Sequence, residues 1–153
     1  MTADALALPA VGDQMPEREY GPITITDIVR YAGASGDFNP LHHDDATARA
    51  AGFDGVFSIG MFQAGLLGGF VAEWLGPRTI RRFTTRFAEQ VWPGDILVCS
   101  GQVANVVDRA EGAAVTVQLR CTRNTDPAGP NAVAGSGIAI IGLAECWISK
   151  GRA

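Results

Sequence analysis

The two histidines of this chain, His42 and His43, both lie in one stretch, Tyr31-Ala-Gly-Ala-Ser-Gly-Asp-Phe-Asn-Pro-Leu-His-His-Asp-Asp45. Asp37 precedes His42 by five residues, with Pro40 between them. A carboxylate and an imidazole can together move protons to and from a water near neutral pH. The spacing does not align the two on a helix, and Pro40 would interrupt one. Gly36 frees the backbone before the aspartate, and Asn39-Pro40 initiates a turn. A chain bent here can turn both side chains toward one small volume. Three competing readings apply. Asp37 could simply close an Asx turn. His42, His43, Asp44 and Asp45 could hold a metal, although adjacent residues seldom converge on one ion. Ser58 could act with His42 as a nucleophile, but Gly55-Val-Phe-Ser-Ile-Gly60 lacks the G-x-S-x-G spacing.

The elements that must position this loop are legible on either side. Ile23 to Ala34 reads as a helix with Thr26 as N-cap and an apolar face of Ile28, Val29, Tyr31 and Ala32. Asp44 or Asp45 caps a short helix through Ala51, stopped by Gly52. Ile59 to Leu75 reads as the longest helix, ended by Gly76-Pro77. Its Gly65, Gly68, Gly69 and Ala72 form a small-residue stripe, the expected mark of a sheet wrapped tightly against it. After Pro77 the period becomes two: Ala113, Val115, Val117, Leu119 and Cys121 alternate with polar or small residues. Thr79 to Phe87, Ile96 to Val107 and Ala132 to Ile148 also read as strands of an antiparallel meander. Gly135, Gly137 and Gly142 mark bulges or close approach to the helix. The expected class is α+β, a sheet burying one face on a central helix.

Composition removes other classes. With 153 residues, 47% of them hydrophobic and 18% charged, the chain can bury a core of its own. Residues 1–10 are expected to form a flexible arm, and 11–153 a single domain. A net charge of −4 leaves no footprint for nucleic acid. Arg78, Arg81, Arg82 and Arg86 make only a local basic patch, either a solvated strand face or a meeting point for an anionic ligand. The three cysteines, Cys99, Cys121 and Cys146, show no zinc-ligand spacing and read as buried reduced thiols of a cytoplasmic protein. Met1 to Pro9 lacks the pattern of a signal peptide. Gly55 to Ala72 is free of charge, but its glycines fit a buried helix better than a membrane span.

The loop also resembles a known motif. Gly36-Asp-Phe-Asn-Pro-Leu-His42 is similar to the hydratase 2 motif of MaoC-like (R)-specific enoyl-CoA hydratases and (3R)-hydroxyacyl-thioester dehydratases. Val11-Gly-Asp-Gln-Met-Pro-Glu17 looks like that family's approach to its first strand. Gly60-Met61, Gly68-Gly69 and Trp74-Leu-Gly76 look like its central helix. The likeness runs from about Val11 to Asp108 and is especially close to the beta subunit of mycobacterial (3R)-hydroxyacyl-ACP dehydratases. It implies a hot-dog fold, an antiparallel sheet wrapped around a long helix. It implies a lyase acting on acyl-CoA or acyl-ACP thioesters without metal or cofactor, as a homodimer or a heteromer of hot-dog chains. By position Asp37 and His42 match the catalytic pair, Asn39 a loop-supporting residue, and the Gly60 N–H the donor to the thioester oxygen. Ile59, Phe62, Leu66, Phe70 and Trp74 become candidates for the tunnel wall. The sequence departs from the family at Ile59, where many relatives carry histidine, and at Gly68, where a hydroxyl side chain is frequent. The first departure removes a polar contact, and the second implies a wider tunnel. A subunit dependent on a partner chain, and a hot-dog thioesterase or acyl-CoA binder, remain alternatives.

Overall fold

The computed structural model describes residues 8–125 and 137–150. β1 (Gln14–Tyr20) is followed by α1 (Ile25–Ser35), a 3-10 turn (Pro40–His42), α2 (Asp45–Ala50) and α3 (Gly60–Leu75). Four strands follow: β2 (Ile80–Phe87), β3 (Asp95–Asp108), β4 (Gly112–Thr125) and β5 (Gly137–Ser149). All pairings are antiparallel, in the order β1-β3-β4-β5-β2.

β3, β4 and β5 are the expected meander. β2 does not join it in chain order; it lies outside β5, with Phe83 opposite Ala144 and Phe87 opposite Ile140. The connection of residues 88–94 therefore has to cross from one side of the sheet to the other. It is pinned on the way. Ala88 N–H donates to Ala139 O at 2.9 Å, Ser58 N–H to Val91 O at 2.7 Å, and Gly94 N–H to Ile23 O at 2.7 Å. This crossing brings residues 88–91 against the start of α3.

The core is the inner face of the sheet on α3. Alternation puts Leu97, Cys99, Val115, Val117, Leu119, Cys121, Ala144 and Cys146 inside, and α3 contributes Ala64, Leu67, Phe70, Val71 and Leu75. All three cysteines are free and buried. A hydrogen bond to Cys121 and burial push the Cys99 thiol up, and burial does the same to Cys146.

The glycine stripe behaves differently from expectation. A side chain at Gly65 or Gly69 would meet nothing within 4 Å, and one at Gly68 only Phe83, at 3.8 Å. Gly65 and Gly69 face away from the sheet, and Gly68 sits loosely at its β2 edge. Close approach is made instead by the sheet's own Gly142, where a Cβ would lie 3.2 Å from Leu67 and 3.3 Å from Leu119. Gly137 makes its close approach to Glu89 rather than to the helix, and Gly135 lies outside the described residues.

α1 also starts earlier than Thr26. Thr24 is the cap: it is extended, accepts from Asp27 N–H, and receives the Asp27 carboxylate on its own N–H, a reciprocal capping box. Ile28 and Ala32 are buried, but Val29 is 50% exposed, so the apolar face is narrower than the sequence implied. Of residues 1–10, only 8–10 are described, and Pro9 is buried there.

Candidate active site

α1 ends so as to deliver Asp37. Gly36 takes a left-handed φ of 76° and its N–H donates to Ala32 O at 2.9 Å. Ser35 Oγ donates to Tyr31 O at 2.8 Å and accepts from Asp37 N–H at 3.3 Å. Asp37 is half-buried, and its Oδ1 accepts from Asn39 N–H at 3.3 Å, so the Asx turn is formed. That bond occupies one carboxylate oxygen and fixes the side chain's direction. Asn39, exposed itself, caps the 3-10 turn by accepting from Leu41 N–H at 3.1 Å.

His42 follows at the end of that turn and is 8% exposed. Its Nδ1 lies 2.8 Å from the carbonyl oxygen of Phe57. A carbonyl only accepts, so Nδ1 carries a proton, and in the neutral ring the lone pair is on Nε2. Phe57 also meets the imidazole edge-on, centroids 5.0 Å apart, and is held by Phe53 and Trp92 at 4.6 and 5.9 Å. His42 is thus tied to the segment that feeds α3. The neighbouring groups are engaged elsewhere. Asp44 caps α2 by accepting from Thr47 N–H, which holds its carboxyl below the usual range. Asp45 pairs with Arg49 at 2.7 Å. No group of three metal-ligating side chains converges among the described residues.

α3 begins at Gly60 without a side-chain cap, because Ile59 offers no acceptor. Phe62 N–H turns back on Ile59 O at 2.9 Å; the Gly60 and Met61 amides lie at the positive end of the helix dipole, where developing negative charge is stabilised. Two buried polar residues stand beside it. With the Gln63 amide oriented to satisfy both ends, its nitrogen donates to Gly60 O at 3.0 Å and to Ile59 O. Its oxygen accepts from Ser58 Oγ at 2.6 Å. Ser58 is therefore spent on Gln63 in this arrangement. A cavity of about 240 Å³ opens here, walled by Phe57, Ser58, Gly60, Gln63, Phe87 and Glu89 among others. Phe87 covers Gly60 so closely that a Cβ on the glycine would lie 3.1 Å from the ring.

Of the residues singled out from sequence, His42 and Gly60 are brought to one region through Phe57; Asp37 and Asn39 build the loop that leads there. Asp37 and His42 do not themselves wall the cavity. Ile59 and Phe70 belong to the buried core, and Phe62, Leu66 and Trp74 are half-buried against it, Phe62 with Tyr31 at 5.2 Å between rings. Arg78, Arg81, Arg82 and Arg86 are exposed, and Arg82 pairs with Glu145 at 3.9 Å. A larger groove, about 770 Å³, crosses the sheet among Gln102, Gln118, Arg120 and Ile141, away from all of these except Arg86. Sequence reasoning passed over Phe57, Gln63 and Glu89. Gln63 alone left a signal: a lone amide in a charge-free apolar run must find buried partners.

Comparison with known proteins identifies the family and the fold. Residues 8–125 match the family described as "MaoC like domain". The beta subunit of 3-oxo-4,17-pregnadiene-20-carboxyl-CoA hydratase from Mycobacterium tuberculosis is 34% identical over 100 residues, 64% of this chain and 76% of that one. The mitochondrial 3-hydroxyacyl-[acyl-carrier-protein] dehydratase of Arabidopsis thaliana is 27% identical over 114 residues, 74% of this chain and 68% of that one. The unliganded (R)-hydratase PhaJ1 of Pseudomonas aeruginosa superposes with a TM-score of 0.69 at 27% identity, over 94% of this chain and 84% of that one.

Proposed function

The chain belongs to the MaoC-like family and carries its hot-dog fold, and on that premise we propose that it reversibly hydrates trans-2-enoyl thioesters to (3R)-hydroxyacyl thioesters. The observation that carries this reading is the buried His42, its Nδ1 committed to the carbonyl of Phe57, which stands three residues ahead of an uncapped helix start. Asp37 and His42 orient a water, and the pair removes its proton as the oxygen bonds to C3 of the enoyl group. The C2=C3 electrons move toward the thioester carbonyl, where negative charge builds. The Gly60 N–H and the α3 dipole stabilise that oxygen. A proton from the pair then reaches C2, so the elements of one water are added. Dehydration runs the same steps in reverse.

Wild-type protein incubated with crotonyl-CoA and longer enoyl-CoAs should bleach the conjugated thioester absorbance and release no free thiol. Release of thiol without hydroxyacyl product would instead identify a thioesterase. A heteromeric form is a second reading. It is favoured by the relative named as a beta subunit, and by Phe38 and Met61, which are 66% and 58% exposed beside Asp37 and Gly60. In that form activity would appear only when a second hot-dog chain is added.

A further inference from the structure

Glu89 stands where the β2–β3 connection passes the start of α3, and it walls the same cavity as Gly60, Ser58 and Gln63. Its side chain is 49% exposed yet is engaged by a buried cation. Arg123 Nε donates to its Oε2 at 3.4 Å. Arg123 is 7% exposed and is anchored in turn through Nη1 to both oxygens of Asp95, at 3.2 and 3.0 Å. Asp95 is 1% exposed. On the other flank, Gly137 leaves the room: any side chain there would collide with the Glu89 carboxylate. A buried ion pair thus carries one further charge to the cavity wall and holds it there.

A carboxylate only accepts hydrogen bonds. An apolar group filling the cavity would strip water from Glu89 and give nothing back. Whatever fills it has to bring a donor. The acyl chain of an enoyl thioester has none, and the hydroxyacyl product carries a single O–H at C3, whereas the arm on the sulfur side, in CoA and in acyl carrier protein alike, carries amide N–H groups. We propose that Glu89 is a substrate-positioning residue that accepts a hydrogen bond from an amide N–H of the thioester's carrier arm, so that the thioester carbonyl is presented to the Gly60 end of α3. The inference rests on the hydratase reading given above and names the side of the substrate that this cavity receives.

The test compares crotonyl thioesters of CoA, of N-acetylcysteamine, which keeps one amide, and of propanethiol, which has none. Wild-type protein should favour the two amide-bearing substrates. In E89A that preference in kcat/KM should shrink about tenfold or more, the size of a hydrogen bond to a charged group, and through KM rather than kcat. E89Q keeps the volume and a neutral acceptor, serves if E89A fails to fold, and should recover part of the preference. A purely structural role would lower all three substrates alike, and an unchanged preference overturns the proposal. Calorimetry with butyryl-CoA, which cannot be hydrated, separates the two claims. Binding weakened about tenfold by E89A, and less by E89Q, without turnover of any enoyl thioester by wild type, keeps Glu89's role and removes the hydratase. Turnover with binding indifferent to Glu89 does the reverse. No binding by wild type, tested alone and with a second hot-dog chain, overturns both.

Discussion

An imidazole with one nitrogen committed to a carbonyl has a single nitrogen left for chemistry. Phe57 O imposes that on His42, and burial at 8% exposure keeps the ring from turning away. Asp37 is shaped by turn bonds rather than by a charge partner, with Oδ1 on Asn39 N–H. At this scale Asn39→Ala, which removes the cap on Leu41 N–H, should lower stability by about 1 kcal/mol and lower turnover with it. Denaturant melts alongside the hydration assay would check both. Arg123→Ala should cost about 3–5 kcal/mol, because Asp95 loses its bidentate partner in the interior; the loss is readable as a lower urea midpoint. The Asp37–His42 motif was legible in the sequence because its turn chemistry is local. Glu89 was not, because it meets Ser58 and Gln63 only after the 88–94 connection has crossed the sheet, a non-local fact that no spacing encodes.

Among the elements, α1 and α3 frame the loop by opposite means. α1 is capped twice over at its start. The Thr24 side-chain and backbone hydrogen bonds hold the Asp27 carboxyl below its usual range. A depressed folded value means that this stabilisation is present above the ordinary aspartate range and fades as pH falls through the depressed value. Thr24→Ala should therefore cost about 1 kcal/mol at neutral pH, and the gap to wild type should narrow in acid, as followed by urea unfolding at the two pH values. α3 is left uncapped where an anionic oxygen would be received. Its glycines were read as a contact with the sheet, yet the sheet supplies its own clearance at Gly142. Gly142→Ala should thus cost about 1–3 kcal/mol by overpacking on Leu67 and Leu119. Gly65→Ala should gain up to about 1 kcal/mol of helix propensity. Periodicity identified which residues share a helix face; it could not say which face the sheet would take.

For the molecule as a whole, helix and strand pattern gave the class, and the β3-β4-β5 meander could be read from turns alone. The place of β2 beyond β5 could not, since strand order depends on how a long connection returns. That connection makes the site: it brings Phe87 over Gly60, Val91 onto Ser58, and Glu89 into the cavity wall. No helix among the described residues is long and apolar enough to cross a membrane. Large apolar side chains left open at Phe38, Met61 and Phe87, all flanking the same region, call for cover by another chain. Light scattering on the purified protein should report a dimer, or a monomer that assembles when its partner is supplied.

The most direct measurement is the rate of crotonyl-CoA hydration by wild type, Asp37→Asn and His42→Ala, with folding of each verified by circular dichroism. Wild type, with its partner chain if it needs one, should produce the (3R)-hydroxy thioester, and each variant should fall by about a hundredfold or more while remaining folded. Undiminished hydration by both folded variants would contradict the account.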